Sequence, residues 1–219
     1  MKETRTLAAI LYDDFELLDL YGPLEMFGTL GKAVEIVTVA HQKGAVASTQ
    51  GPQTVATYDF NDCPRPDLVL VPGGIGTFAA MEDEALLEFL RTGADTAQVT
   101  MSVCSGSAIL AKAGLLEGRA ATSNKQFFTM LAAAGPNTNW VESARWVEDG
   151  SFVTSSGVSA GTDMALAVIA KLYGRETAEK IAAYTEYTWH TDADIDPFVS
   201  YLDAGDMGEV MEVLGRGAA

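Results

Sequence analysis

Apolar positions along this chain change period in a regular way. Thr6 to Tyr12 is a short strand-like run, Leu20 to Leu30 reads as a helix, and Val34 to Ala40 is strand-like again. A strand at Leu68 to Val71 then precedes a helix from Glu82 to Gly93, and a strand at Val99 to Val103 precedes a helix from Ser107 to Ala113. Strands alternating with helices predict a parallel sheet, because each crossover lays a helix over the strands it connects and both faces become covered. Two interruptions predict small hairpins. One spans Ala45 to Tyr58 around Gln50-Gly51-Pro52, and the other pairs Trp140 to Glu148 with Phe152 to Ser155 across the turn dipeptide Asp149-Gly150. Ala160 to Tyr173 is a long apolar helix, Glu176 to Tyr187 another, and Asp203 to Ala219 a final helix with a frayed end. No repeat or long linker divides the chain, so one domain spanning residues 1–219 is expected.

Composition narrows the partners more than the fold. With 48% hydrophobic and 20% charged residues in 219, the chain can bury a substantial core. Thirty acidic residues against 14 basic ones give a net charge of −16, which repels nucleic acid and anionic membrane surfaces and excludes both as expected partners. The first apolar run ends at Asp13, too short for a signal core or a membrane span, so a cytoplasmic location is expected. Two cysteines without an export signal favour free thiols over a disulfide.

Candidate chemistry gathers where strands end, since ligands of open parallel sheets bind beyond the carboxyl ends of the strands. Cys104 stands where Val99 to Val103 gives way to a helix, among the small residues Ser102, Ser105, Gly106 and Ser107. Such a turn exposes a nucleophile, and the helix start behind it is expected to lower the thiol pKa and make the sulfur reactive at neutral pH. The alternative is a small thiol buried under a helix. Asp19, enclosed by Leu17, Leu18 and Leu20, is either an acid whose pKa is raised by apolar surroundings or the cap of a helix starting near Pro23. Pro72-Gly73-Gly74-Ile75-Gly76 can turn backbone N–H groups toward a developing oxyanion. Gly74 to Ala79 also fits the GxGxxA dinucleotide pattern, although it does not follow the first strand and no acid ends the next one. His41, His190, Cys63 and Cys104 are scattered singly, without the spacing of a metal site.

Leu18-Asp19-Leu20-Tyr21-Gly22-Pro23, Pro72-Gly73-Gly74-Ile75-Gly76 and Ser102-Val103-Cys104-Ser105-Gly106-Ser107, in this order and spacing, resemble the ThiJ/PfpI superfamily. The likeness runs from about residue 6 to 173 and includes Gly157-Val158-Ser159-Ala160-Gly161-Thr162-Asp163. Aspartate at position 19, where many relatives carry glutamate, points within it to the isocyanide hydratases. The resemblance implies a flavodoxin-like α/β sandwich, mostly parallel, with helices on both faces and hairpin additions. It also implies a homodimer and no cofactor, and no metal is expected given the scattered ligands. Its site would hold Cys104 and Asp19 as catalytic residues, with the N–H groups of Gly74 and Ser105 as donors. From their positions, Leu20, Tyr21, Ile75 and Val158 are expected to line the pocket. The implied reaction is that of a hydro-lyase, hydration of an isocyanide to a formamide through a covalent thioimidate. Detoxification of reactive carbonyls and non-enzymatic sensing are the alternatives. The chain departs from its relatives at Thr122-Ser123-Asn124-Lys125, where Asn124 occupies the usual histidine position.

Overall fold

The apolar runs fold into the strands they predict. In the computed structural model, which describes residues 4–215, the order begins β1 (Arg5–Ile10), α1 (Leu17–Gly28), β2 (Val34–Ala40), β3 (Gly44–Ala47), β4 (Gln53–Ala56), β5 (Tyr58–Asp59) and β6 (Leu68–Val71). It continues with α2 (Thr77–Ala80), α3 (Glu84–Ala94), β7 (Val99–Ser102), α4 (Gly106–Lys112), β8 (Ala120–Ala121), α5 (Phe128–Ala132) and β9 (Asn139–Trp140). Then come β10 (Trp146–Asp149), β11 (Phe152–Ser155), α6 (Ala160–Tyr173), α7 (Arg175–Tyr184) and α8 (Met207–Val213).

Seven strands form one sheet in the order β10-β11-β7-β6-β1-β2-β5, and every neighbouring pair but β10 and β11 is parallel. Successive side chains of a strand point to opposite faces. Leu7 and Ala9 of β1 therefore join the core under α1, α6 and α7, whereas Ala8 and Ile10 join the one under α3 and α4. Leu68 and Leu70 of β6 divide from Val69 and Val71 in the same way. Burial on both faces explains why these central strands read as continuous apolar runs. The architecture is the expected flavodoxin-like sandwich. From β1 the chain passes to β2 on one side and returns to β6 on the other. This order reversal opens a crevice at the carboxyl ends of β1, β6 and β7, and Asp19, Gly73 and Cys104 follow those ends.

The hairpin around Gln50-Gly51-Pro52 forms as β3 and β4. The second is shorter than predicted. Trp146 to Asp149 pairs with Phe152 to Ser155, but Trp140 pairs with β8 in a separate two-stranded ladder. Arg145 explains the break. Its N–H donates to the Ala193 carbonyl at 2.7 Å and its guanidinium turns inward to Asp163, which takes the intervening residues out of the ladder. α7 stops at Tyr184, before the predicted Tyr187, because Glu186 adopts a left-handed conformation with φ 52°. The predicted last helix is present as α8, while the frayed end expected at 216–219 lies outside the described residues. Among the described residues no helix is long and apolar enough to cross a membrane.

Candidate active site

Cys104 occupies the turn between β7 and α4 in a left-handed conformation, φ 56°, which non-glycine residues rarely adopt. Hydrogen bonds hold it there. Its N–H donates to Ser156 O at 3.0 Å, and its carbonyl accepts from the hydroxyls of Ser107 and Ser123 at 3.1 Å each. The small-residue requirement is steric, since a β-carbon at Gly106 would lie 2.4 Å from the Val71 carbonyl oxygen. The sulfur accepts from Asn124 Nδ2 at 3.1 Å, and the N–H groups of Ser105 and Val158 also face it.

Asp19 lies in the first turn of α1, which begins at Leu17, so it does not cap the helix. Its side chain is fully buried and crosses instead to the β6 loop, where Oδ2 accepts the Gly73 N–H at 2.8 Å. Oδ1 is buried and completes no well-aligned hydrogen bond, although the Cys104 side chain lies within hydrogen-bonding reach of the carboxyl. The carboxyl and the Cys104 thiol are near enough to alter each other's proton affinity. Burial pushes the Asp19 carboxyl up to about 8, with the charge of Glu16 adding to it, against the opposing effect of the Gly73 N–H. The Cys104 thiol is pushed up to about 12, first by burial and then by the Asp19 charge, and the donors around the sulfur only partly offset this. The expected lowering by the helix start is therefore overturned. α4 is a short helix packed into the core, and desolvation of the sulfur outweighs its end.

Ser105 has two roles in the geometry. Its N–H faces the sulfur, while its hydroxyl accepts the Gly74 N–H at 3.0 Å and meets Thr77 Oγ1 at 2.7 Å. Tyr12 backs this chain, its hydroxyl lying 3.2 Å from Thr77 Oγ1 and donating to Pro72 O at 2.7 Å. The Gly74 N–H is thus engaged by Ser105 rather than turned into the crevice. The dinucleotide pattern is equally occupied. The Gly76 N–H donates to Asp14 O, and the helix that follows, α2, has four residues.

Cys104 and Asn124 open on a cavity of about 250 Å³ walled by Ile75, Phe78, Phe127, Met130, Leu131 and Val158. Ile75 and Val158, both expected at the pocket, are among its walls. Leu20 and Tyr21 are not. Leu20 points into the core beneath α1, and Tyr21 is turned out to hydrogen-bond Thr54 Oγ1 at 2.8 Å, because they occupy faces of the helix other than the one Asp19 presents. A larger groove of about 620 Å³ lies over α3 and contains neither Cys104 nor Asp19. Its Cys63 thiol donates to Pro64 O at 3.2 Å and is pushed up to about 11 by burial. His41 pairs with Asp83 at 3.2 Å and His190 with the Ile195 carbonyl at 3.1 Å, so neither histidine serves the cysteine. Among the described residues no cluster of three or more His, Cys, Asp or Glu side chains could hold a metal ion. Asn124 is the residue that sequence reasoning left without a role. Its position in the departing segment was the available signal.

The DJ-1/PfpI family profile matches residues 5–171. An isonitrile hydratase of Pseudomonas putida is 36% identical over 178 residues, covering 81% of this chain and 76% of that protein. The HTH-type transcriptional regulator GbdR of Pseudomonas aeruginosa is 27% identical over 186 residues, 83% of this chain but only 50% of the regulator. Among solved structures, a ThiJ/PfpI family protein from Pseudomonas syringae superposes with a TM-score of 0.78 at 34% identity, covering 97% of this chain and 87% of its own. With a profile match of this extent, and the strand order and cysteine turn described above, the chain belongs to the DJ-1/PfpI family.

Proposed function

We propose that this chain is an isocyanide hydratase, a cofactor-independent hydro-lyase in which Cys104 is the nucleophile and Asp19 the proton carrier. The observation that carries the reading is the buried Asp19 carboxyl behind Cys104, whose sulfur accepts from Asn124 and lines a mostly apolar cavity that Glu16 and Gln126 also border. An isocyanide carbon must gain both a nucleophile and a proton, and this pair offers one of each. With a single proton shared between them, the thiolate forms the C–S bond while the Asp19 carboxyl protonates the same carbon, giving a thioimidate. The carboxylate left behind activates water. The water oxygen adds to the thioimidate carbon, one of its protons reaches the nitrogen, and the other returns to Asp19 as the C–S bond breaks. The N-substituted formamide leaves and the thiolate is restored, with the Asn124 amide holding the sulfur's charge at both ends of the cycle.

Asn124 also bears on the alternative. An amide cannot exchange a proton, so the cysteine has no histidine base, and chemistry that needs only one acid is favoured over carbonyl detoxification by a Cys–His pair. The reading includes a single domain acting as a homodimer in the cytoplasm. Its test is formamide production from a simple aromatic isocyanide by the wild type and Cys104→Ala, with methylglyoxal assayed in parallel. Turnover of the isocyanide that vanishes in Cys104→Ala is expected. Turnover of methylglyoxal alone would move the chain to carbonyl detoxification, and turnover of neither would leave a sensor.

A further inference from the structure

The cavity beside Cys104 has a wall that comes from outside the family match. That match ends at residue 171, whereas Met207 and Val210 of α8 also line the cavity. α8 is amphipathic in the required sense. Met207, Val210, Met211 and Leu214 follow the i, i+3, i+4, i+7 spacing and are half-buried, while Gly208, Glu209, Glu212 and Val213 are exposed.

The segment leading to α8 is strapped to the loop that carries Asn124. The Asp203 N–H donates to Lys125 O at 2.9 Å and the Gly205 N–H to Gln126 O at 3.0 Å. The Asp203 carboxylate accepts the Thr129 N–H at 2.8 Å and the Thr129 hydroxyl. Asp206 then starts the helix, its Oδ1 accepting the N–H groups of Gly208 at 2.7 Å and Glu209 at 3.3 Å. The strap lies so close to the loop that a β-carbon at Gly205 would sit 2.6 Å from the Phe127 ring. One loop thus holds Asn124 on the sulfur and α8 across the cavity.

We propose that Met207 and Val210 are specificity-determining residues that restrict the Cys104 pocket to compact apolar substituents. The identity of the substrate rests on the hydratase reading; the wall itself does not. A cavity of roughly 150 Å³ is enough to hold benzene, so the 250 Å³ here takes one ring bearing the reacting group. A second ring extended toward α8 meets Met207 and Val210.

The test uses the full chain with Cys63→Ser, so that Cys104 is the remaining thiol. Rates of Cys104 alkylation by iodoacetamide and by a pyrene maleimide are compared in this background, in the added pair Met207→Ala and Val210→Ala, and separately in Gly205→Val, which drives the strap off Phe127. Both variants should raise the ratio of the bulky to the small reagent by about tenfold or more, the scale on which a pocket discriminates added bulk. The preference in kcat/KM for phenyl over biphenyl isocyanide should fall in parallel. An unchanged labelling ratio in both variants overturns the proposal. If the ratio rises but no form of the protein hydrates any isocyanide, the wall stands and the hydratase reading fails.

Discussion

Burial sets the working state of Asp19 and Cys104. At neutral pH the carboxyl keeps its proton up to about 8 and the thiol up to about 12, so the resting pair carries both protons. The proposed attack needs the form with one. As pH rises through about 8 the pair loses its first proton, so kcat/KM for an isocyanide should climb through that region rather than fall. Asp19→Asn should remove this limb and lower turnover by about 10² or more. Because the two residues act as a unit, Asp19→Asn combined with Cys104→Ala should be little worse than Cys104→Ala alone. A pH–rate profile unchanged in Asp19→Asn would assign the titration elsewhere and strike Asp19 from the mechanism. The types and places of both residues were readable in the sequence, because a small-residue turn and an acid in an apolar run are local features. Their proton affinities were not. Desolvation sums over everything packed around the group, and for Cys104 it reversed the direction that the helix start alone suggested.

At the scale of elements, the buried contact of Arg145 with Asp163 fastens α6 to the segments that pass over it. Arg145 Nε donates to Asp163 Oδ2 at 2.7 Å with both side chains buried, and Asp196 lies 3.7 Å from the guanidinium. The other Asp163 oxygen accepts the Tyr187 hydroxyl at 3.1 Å and the His190 N–H at 2.9 Å. Removing one member of such a buried pair leaves an uncompensated charge, so Arg145→Ala should cost about 3–5 kcal/mol in urea unfolding. A loss below about 1 kcal/mol, the scale of an exposed ion pair, would show that the network does not hold α6. The sequence motif from Gly157 to Asp163 marked the helix start but not the partner. Arg145 also cut the predicted hairpin short, since its backbone and side chain are claimed by residues far along the chain.

For the whole molecule, the proposed homodimer has a surface available. Leu18 and Tyr21 on α1 are each 47% exposed and Val55 on β4 is 61% exposed, and the Tyr21 hydroxyl bonds Thr54 beside it. Exposed apolar side chains of this kind suit an isologous contact between two copies. Sedimentation at micromolar concentration should therefore give twice the 23.2 kDa chain mass, and Leu18→Asp with Val55→Asp should shift it to monomer. A wild-type monomer would contradict the proposal. The parallel sheet, its covering helices and the cysteine turn could be read directly from residue order, because strand alternation, helical spacing and turn chemistry are properties of neighbours in the chain. Tertiary structure alone decided the rest: that Asn124 touches the sulfur, that Leu20 and Tyr21 turn away from the pocket, that Ser105 engages the Gly74 N–H, and that α8 lines the cavity onto which Cys104 opens. Each of these depends on side chains from segments distant in sequence meeting in space, and local periodicity and turn chemistry do not specify those contacts.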